Sequence, residues 1–387
     1  MVRGLLVITA LVAMALEGHA QINGEMRVMV EHDRQPGMQS VHAASLIQLG
    51  AAWELTPLLT TGVVAYGGVP LGSEHEELLR DPKAMIAEAW IALKGDRGHL
   101  SVGRQKIEWP ILNTNDVSLV PNLFEALEVQ WSLMPEWHLV AGHARRMAGW
   151  ENGADPFKFV ELTSALESSL GGFFASPYAP TKAPVTTIGV RYEQESHSAQ
   201  MWGSVVENIM SQGYGEVRTS VGESELGVQV VWQEMVGALK HYRDSGSGVG
   251  INRMIVGFEA SWRGPIRGSV AYNYAHAKRH NQSEGSSDLC HGSGDILYTA
   301  GYYETPHSRH GAQGVKLSLG LGDSEYKQLG ADVAYTQLRE HGINYAETSL
   351  TVGKVFGKLR TEGRVVYLTN GEEVDTTQVR IAGYWEF

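Results

Sequence analysis

An all-β fold, a transmembrane antiparallel β-barrel of about 18 strands with short periplasmic turns and long extracellular loops, is what this sequence predicts, on three observations. Segments of about ten residues alternate apolar and polar side chains from Gly24 to the end. Every second connection between those segments is tight. No apolar run is long enough to be a spanning helix. The carboxy-terminal segment shows the pattern most plainly: in Gln378-Val379-Arg380-Ile381-Ala382-Gly383-Tyr384-Trp385-Glu386-Phe387, apolar or small side chains alternate with polar ones and the chain ends on an aromatic residue.

Composition does not decide the class alone. Of 387 residues 43% are hydrophobic and 19% charged, and the mean hydropathy of -0.18 argues against a bundle of membrane helices. A barrel hides its lipid face in alternation, so it averages like a soluble protein. The 45 glycines against 13 prolines suit many twisted strands and tight turns. Trp and Tyr together outnumber Phe about threefold, which fits membrane interfaces as well as ordinary cores.

At the amino terminus, Arg3, the apolar stretch Leu5 to Leu16 and the small-x-small pattern Gly18-His19-Ala20 read as a secretory signal peptide, residues 1–20. The barrel domain then covers 21–387. A single cysteine, Cys290, excludes an internal disulfide framework. The formal net charge of -12 disfavours nucleic acid as a partner.

The strands fall, in order, at 24–34, 44–56, 58–70, 86–97, 99–107, 123–135, 136–150, 184–194, 197–209, 211–222, 224–240, 248–264, 265–278, 313–322, 325–339, 344–357, 359–370 and 376–387. Tight connections occur at Thr56-Pro57, Gly95-Asp96-Arg97-Gly98, Met134-Pro135-Glu136, Gly222-Glu223-Ser224, Arg263-Gly264-Pro265, Gly322-Asp323-Ser324 and Gly357-Lys358. The intervening ones are mostly longer, and two run to about thirty residues. An even strand count puts both ends on the periplasmic side. Outward rows are clear in Val315, Leu317, Leu319 and Leu321, in Met254, Val256, Phe258, Ala260 and Trp262, and in Leu226, Val228, Val230 and Trp232. The bilayer core offers no water to backbone N–H and C=O groups, so a sheet there must close on itself. At this strand number side chains no longer fill the middle, and an aqueous pore results.

From Gly103 to Ala126 the chain reads Gly-Arg-Gln-Lys-Ile-Glu-Trp-Pro-Ile-Leu-Asn-Thr-Asn-Asp-Val-Ser-Leu-Val-Pro-Asn-Leu-Phe-Glu-Ala. This resembles the fifth strand, third outer loop and sixth strand of OprD-like outer-membrane porins. The likeness extends to Arg146-Met147-Ala148-Gly149-Trp150-Glu151, Pro156-Phe157-Lys158-Phe159, Gly189-Val190-Arg191-Tyr192-Glu193 and the order of strands. The resemblance implies an eighteen-stranded, substrate-preferring porin of a bacterial outer membrane, often for small carboxylates or amino acids, with inward-folded loops and a ladder of basic side chains. The loops here are shorter and richer in His than in that family.

A channel needs a radius and an electrostatic lining, not a nucleophile. Between Trp109-Pro110 and Pro121-Asn122, the third loop offers Asn113, Thr114, Asn115 and Asp116. Folded into the pore, Asn113, Asn115 and Asp116 form a constriction with Asp116 opposite wall cations; the alternative is a solvated surface loop. By parity with apolar neighbours, Arg191, Arg253, Arg267, Lys316, Arg364 and Arg380 form a lumenal basic row, and Glu88, Glu128, Glu259, Asp332 and Glu347 are lumenal acids. Guanidinium groups present planar donor forks to carboxylates, so the row could pass an anionic group along the wall. Opposed signs would orient zwitterions; the plainer alternative is that they pair and stiffen the wall. An Arg or Lys facing lipid near the midplane costs about 2–4 kcal/mol. In Leu139 to Arg146 the two adjacent arginines, Arg145 and Arg146, fall on opposite faces, which places one near an interface or beyond the bilayer.

Other signals are weaker. His276, His280, Cys290, His291, His307 and His310 lack metal-ligand spacing and read as a hydrated outer loop, so no metal or cofactor is expected. Asp155-Pro156 followed by Phe157 to Leu170 and Gly171-Gly172 reads as a capped short helix in the fourth loop. Gly246-Ser247-Gly248-Val249-Gly250 lacks the Lys-Ser/Thr and helix of a phosphate loop. The function expected is passive diffusion of small hydrophilic solutes by a protein in contact with outer-membrane lipid, as a monomer or trimer. It competes with a barrel-scaffold outer-membrane hydrolase, for which no Ser-His-acid trio is evident, and with an exported soluble β-rich binding protein.

Overall fold

Alternation along each segment becomes a wall with two unlike faces. On the last strand Arg380, Ala382 and Tyr384 turn inward while Ile381 and Trp385 stay exposed, and the same parity holds for Gln229 and Gln233 against Val228, Val230 and Trp232. The computed structural model describes residues 20–387 apart from 36, 72–78, 80, 153–154, 164–172, 248–251, 278–295, 301–310, 323–328, 339–342 and 371–372. The signal-peptide reading of 1–20 therefore lies, but for Ala20, outside the described residues.

Eighteen long strands form the wall: β1 (Ala20–Gln35), β2 (Met38–Thr56), β3 (Leu59–Pro70), β4 (Lys83–Lys94), β5 (Gly98–Gln105), β6 (Leu123–Met134), β7 (Trp137–Ala148), β8 (Val185–Glu193), β9 (His197–Val206), β10 (Met210–Val221), β11 (Ser224–Met235), β12 (Arg253–Trp262), β13 (Ile266–Ala277), β14 (Ala312–Leu321), β15 (Leu329–Leu338), β16 (Ile343–Phe356), β17 (Leu359–Asn370) and β18 (Glu373–Glu386). Each pairs antiparallel with the next. The ring closes where β1 meets β18, in a register running from Glu25↔Glu386 to Arg34↔Thr377. Gly24 and Phe387 complete that seam with reciprocal backbone hydrogen bonds of 3.2 and 3.0 Å. Closure leaves no open sheet edge, which is the condition for a sheet in lipid. At the end where β16 turns into β17 the connections are mostly tight, whereas at the other end they range from two residues between β1 and β2 to the long third loop between β5 and β6; Gly357, at φ +60°, supplies the left-handed conformation between β16 and β17.

The exterior is apolar, with Ile381 59% and Met201 69% exposed. Trp131, Trp137, Trp262 and Trp385 stand exposed toward the tight-turn end, and Trp232, Tyr272, Tyr274, Tyr335 and Tyr367 toward the other. Two aromatic belts flanking an apolar band suit two lipid–water interfaces.

Several elements differ from the sequence reading. The strand expected over 224–240 stops at Met235, because Gly237 takes φ +52° and a short helix, Gly237–Tyr242, buries Leu239 instead. The next strand starts at Arg253 rather than 248; 248–251 lie outside the described residues. The helix expected from Phe157 does not start there: Asp155 caps a turn through the Phe157 N–H, and Val160–Glu161 then pair with Met147 and Arg146 on β7. Most of its remainder, 164–172, lies outside the described residues. Arg145 and Arg146 do not separate by simple parity either. A bulge opposite Glu125 absorbs one residue, and both guanidinium groups reach that carboxylate, at 3.2 and 3.3 Å.

Candidate permeation path

The third loop enters the bore because its first half is greasy and the wall beneath it is small. Glu108–Trp109 pairs with Leu112–Asn113 across Pro110-Ile111, and Ile107, Trp109, Ile111 and Leu112 pack on Phe124, Ala126, Val140, Ala144 and Met147 of β6 and β7. Gly142 lets the Trp109 ring lie on the backbone, where a Cβ would overlap it. The Trp109 indole N–H donates to Glu128 at 2.6 Å. Beside it, Arg191 donates to the Glu108 carbonyl at 2.8 Å.

The loop's second half reaches another sector of the ring. Asp116 takes both Arg27 Nη atoms, one at 2.9 Å, and Arg27 also donates to Ser118 O and pairs with Glu25. Arg380 donates to Val117 O at 2.7 Å and pairs with Glu31 at 2.9 Å. The loop is thus a chord, fixed to β6–β8 at one end and to β1 and β18 at the other, and it narrows the bore. Asn115, at φ +38°, donates to Glu151 at 2.9 Å, and the Asn113 side chain accepts from the Asn115 N–H. Burial works to raise the Asp116 pKa, but the hydrogen bonds and charge of Arg27 more than offset it and hold the carboxyl below its ordinary range. Burial pushes the Glu108 carboxyl up.

The other wall residues fall as follows. Arg253 donates to Gln233 at 2.5 Å, Arg364 pairs with Glu362 at 2.6 Å, and Glu259 pairs with Arg218 at 3.2 Å. Glu347 is buried, and Glu88 lies opposite lumen-side Val64. Asp332 lies opposite Ser318 in the strand register; its side chain is outside the described residues. Lys316 donates to the Ala300 carbonyl at 2.7 Å. Among the described residues, Arg267 Nε and Nη2 are buried without a hydrogen-bond partner. Among the described residues, Arg191, Arg267 and Lys316 have no carboxylate partner. A cavity of about 380 Å³ lies between the tip of the third loop and β8–β10, lined by Glu108, Trp109, Asn113, Arg191, Glu216 and Ile296 among others.

Two features went unread in the sequence. Arg27 was detectable, since Val28 and Val30 face outward and parity turns it inward. The sequence reads 296–300 as part of a hydrated outer loop, but Leu297 and Thr299 are buried and Tyr298 reaches Glu216 on β10 at 2.8 Å. The run Ile296-Leu297-Tyr298-Thr299-Ala300 is mostly apolar and so was a usable signal, but five residues are too few to set a period. His280, Cys290, His291, His307 and His310 lie outside the described residues.

No protein-family model matches the sequence, and no curated protein does. Solved structures do match. Pseudomonas aeruginosa OpdK, crystallised with vanillate, superposes with a TM-score of 0.75 at 16% identity over 95% of this chain and 98% of that one. The chain has the fold of that protein. Pseudomonas aeruginosa OccK8 (OprE) gives a TM-score of 0.75 at 13% identity, covering 95% and 98% of the two chains. Acinetobacter baumannii OccAB3 gives 0.73 at 12%, covering 95% and 99%.

Proposed function

We propose that the chain is a porin of a bacterial outer membrane, exported by its first 20 residues, which lets small charged or zwitterionic solutes diffuse through a water-filled bore. One observation carries the reading: a closed barrel with an apolar exterior holds its charges inside, with a loop stretched across the bore between them. A soluble binding protein would gain nothing from that exterior, which water solvates poorly. Asn113, Asn115 and Asp116 belong to the narrowing. Several other lumenal charges face an opposite charge, whereas among the described residues Arg191, Arg267 and Lys316, along β8, β13 and β14, have no carboxylate within ion-pair distance. Lys316 lies opposite Ala271, and Arg267 lies opposite Gly320. Four residues of β14 therefore separate the two levels, about 13 Å along the strand, a distance over which one anionic group can be handed on. Small carboxylates are the solute class this favours, and vanillate, found in OpdK, is one.

Planar-bilayer recording tests the reading. Wild type should insert with stepwise conductance and show an anion-directed reversal potential across a salt gradient, and R191Q/R267Q should reduce that potential. A folded protein that does not conduct removes the porin reading; an unchanged potential removes the anion route.

A further inference from the structure

Residues 296–300 are held against the inner wall by contacts from three strands. The Tyr298 hydroxyl donates to Glu216 on β10 at 2.8 Å, and Arg218 sits 4.8 Å from the centre of the Tyr298 ring. Gly227 on β11 makes the space, since a Cβ there would stand 2.7 Å from that hydroxyl. In the amide orientation that satisfies both partners, Gln229 donates to Ile296 O at 3.0 Å and accepts from the Tyr298 N–H at 2.8 Å. Lys316 on β14 binds Ala300 O, and the Ala300 N–H closes a turn onto Leu297 O at 2.9 Å. Glu216 is itself fixed, accepting from Gln200 at 2.7 Å and Arg218 at 2.8 Å. Arg218 is balanced in turn by Glu225 and Glu259. The receiving carboxylate is therefore in position before the loop arrives. Ile296 and Glu216 both line the 380 Å³ cavity beside the third loop.

We propose that Tyr298 and Glu216 form a latch that fixes this peptide as the second side of the constriction, with Tyr298 a positioning residue that sets the cross-section open to solutes. The proposal rests on the porin reading. The hydroxyl is the discriminating group, because a Tyr that only filled volume would be replaced by Phe without effect. A hydrogen bond to a carboxylate is worth enough that its loss shifts the latched-to-released ratio by about tenfold to a hundredfold. Released, residues 296–300 leave one side of the cavity, and the bore widens there.

The experiment is single-channel recording of wild type, Y298F and E216Q in planar bilayers, with chloride and then gluconate as the anion. Folding is checked by the heat-dependent gel shift of a closed barrel. Y298F should raise unitary conductance and the gluconate-to-chloride permeability ratio. E216Q, which keeps an acceptor oxygen, should give a smaller change in the same direction. Folded Y298F and E216Q channels with both quantities at wild-type values would overturn the latch while leaving the porin reading intact. Absence of conductance in wild type would instead remove the porin reading itself.

Discussion

Changing Asp116 to Asn tests whether the third loop is held across the bore by charge. The Arg27 side chain is 4% exposed and that of Asp116 38%. Asparagine keeps one acceptor oxygen but loses the bidentate carboxylate. Arg27 retains Glu25, so its charge is not orphaned, and the larger penalty for an uncompensated buried ion does not apply. What is lost is a charge-assisted hydrogen bond, about 1.5–3 kcal/mol, and partial exposure of Asp116 puts the effect at the low end. About 1.5 kcal/mol is roughly a tenfold shift toward a released loop. In planar bilayers D116N should show higher mean conductance, more open-channel noise and a reversal potential displaced toward anions. Conductance and noise equal to wild type in a folded barrel would refute the reasoning, because the loop would then be held without this pair.

Two further outcomes follow from the same loop. The Asp116 carboxyl is held below its ordinary range, so its contribution is complete above the pKa of a free Asp, about 3.9, and is lost as pH falls through the lowered value. Wild-type conductance should therefore be flat from neutrality down to about pH 4 and rise below it, while D116N, which retains Glu25 and Glu31, rises less, as read from current–voltage curves. Gly142→Ala forces a Cβ into the Trp109 ring; overpacking of this kind costs about 1–3 kcal/mol, and the temperature of the heat-dependent gel shift should fall.

Strand number and closure were legible because a closed sheet in lipid imposes its alternation residue by residue. Arg380 between Val379 and Ile381, or Arg253 beside Met254, has one affordable side when the other faces hydrocarbon. The same rule applied to Arg27 would have found the partner of Asp116. It failed where the ladder is irregular. At Arg145 and Arg146 a bulge adds a residue that no alternation reveals, and at Gly237 a left-handed glycine ends a pattern that still reads as strand. The Tyr298–Glu216 contact spans 82 positions and joins a loop to a strand by one hydrogen bond, so neither period nor composition announces it.

The two ends of the third loop are held by different physics, and this shapes how the bore can respond. At the β6–β7 end Trp109 is 1% exposed and lies over a glycine among apolar side chains, so its attachment is hydrophobic and nearly indifferent to salt and pH. At the β1–β18 end the attachment is a cluster of Arg27, Glu25, Asp116, Arg380 and Glu31, whose strength depends on protonation and on ions in the bore. The loop is therefore hinged at its greasy end and adjustable at its charged end. On the proposed function, a solute bearing a carboxylate would enter the same bore that holds Arg27 and Arg380 and compete there with Asp116 and Glu31 for the same donors. Selection and width would then be set by one group of side chains, and the Asp116 end would be the point at which a permeating anion alters its own path.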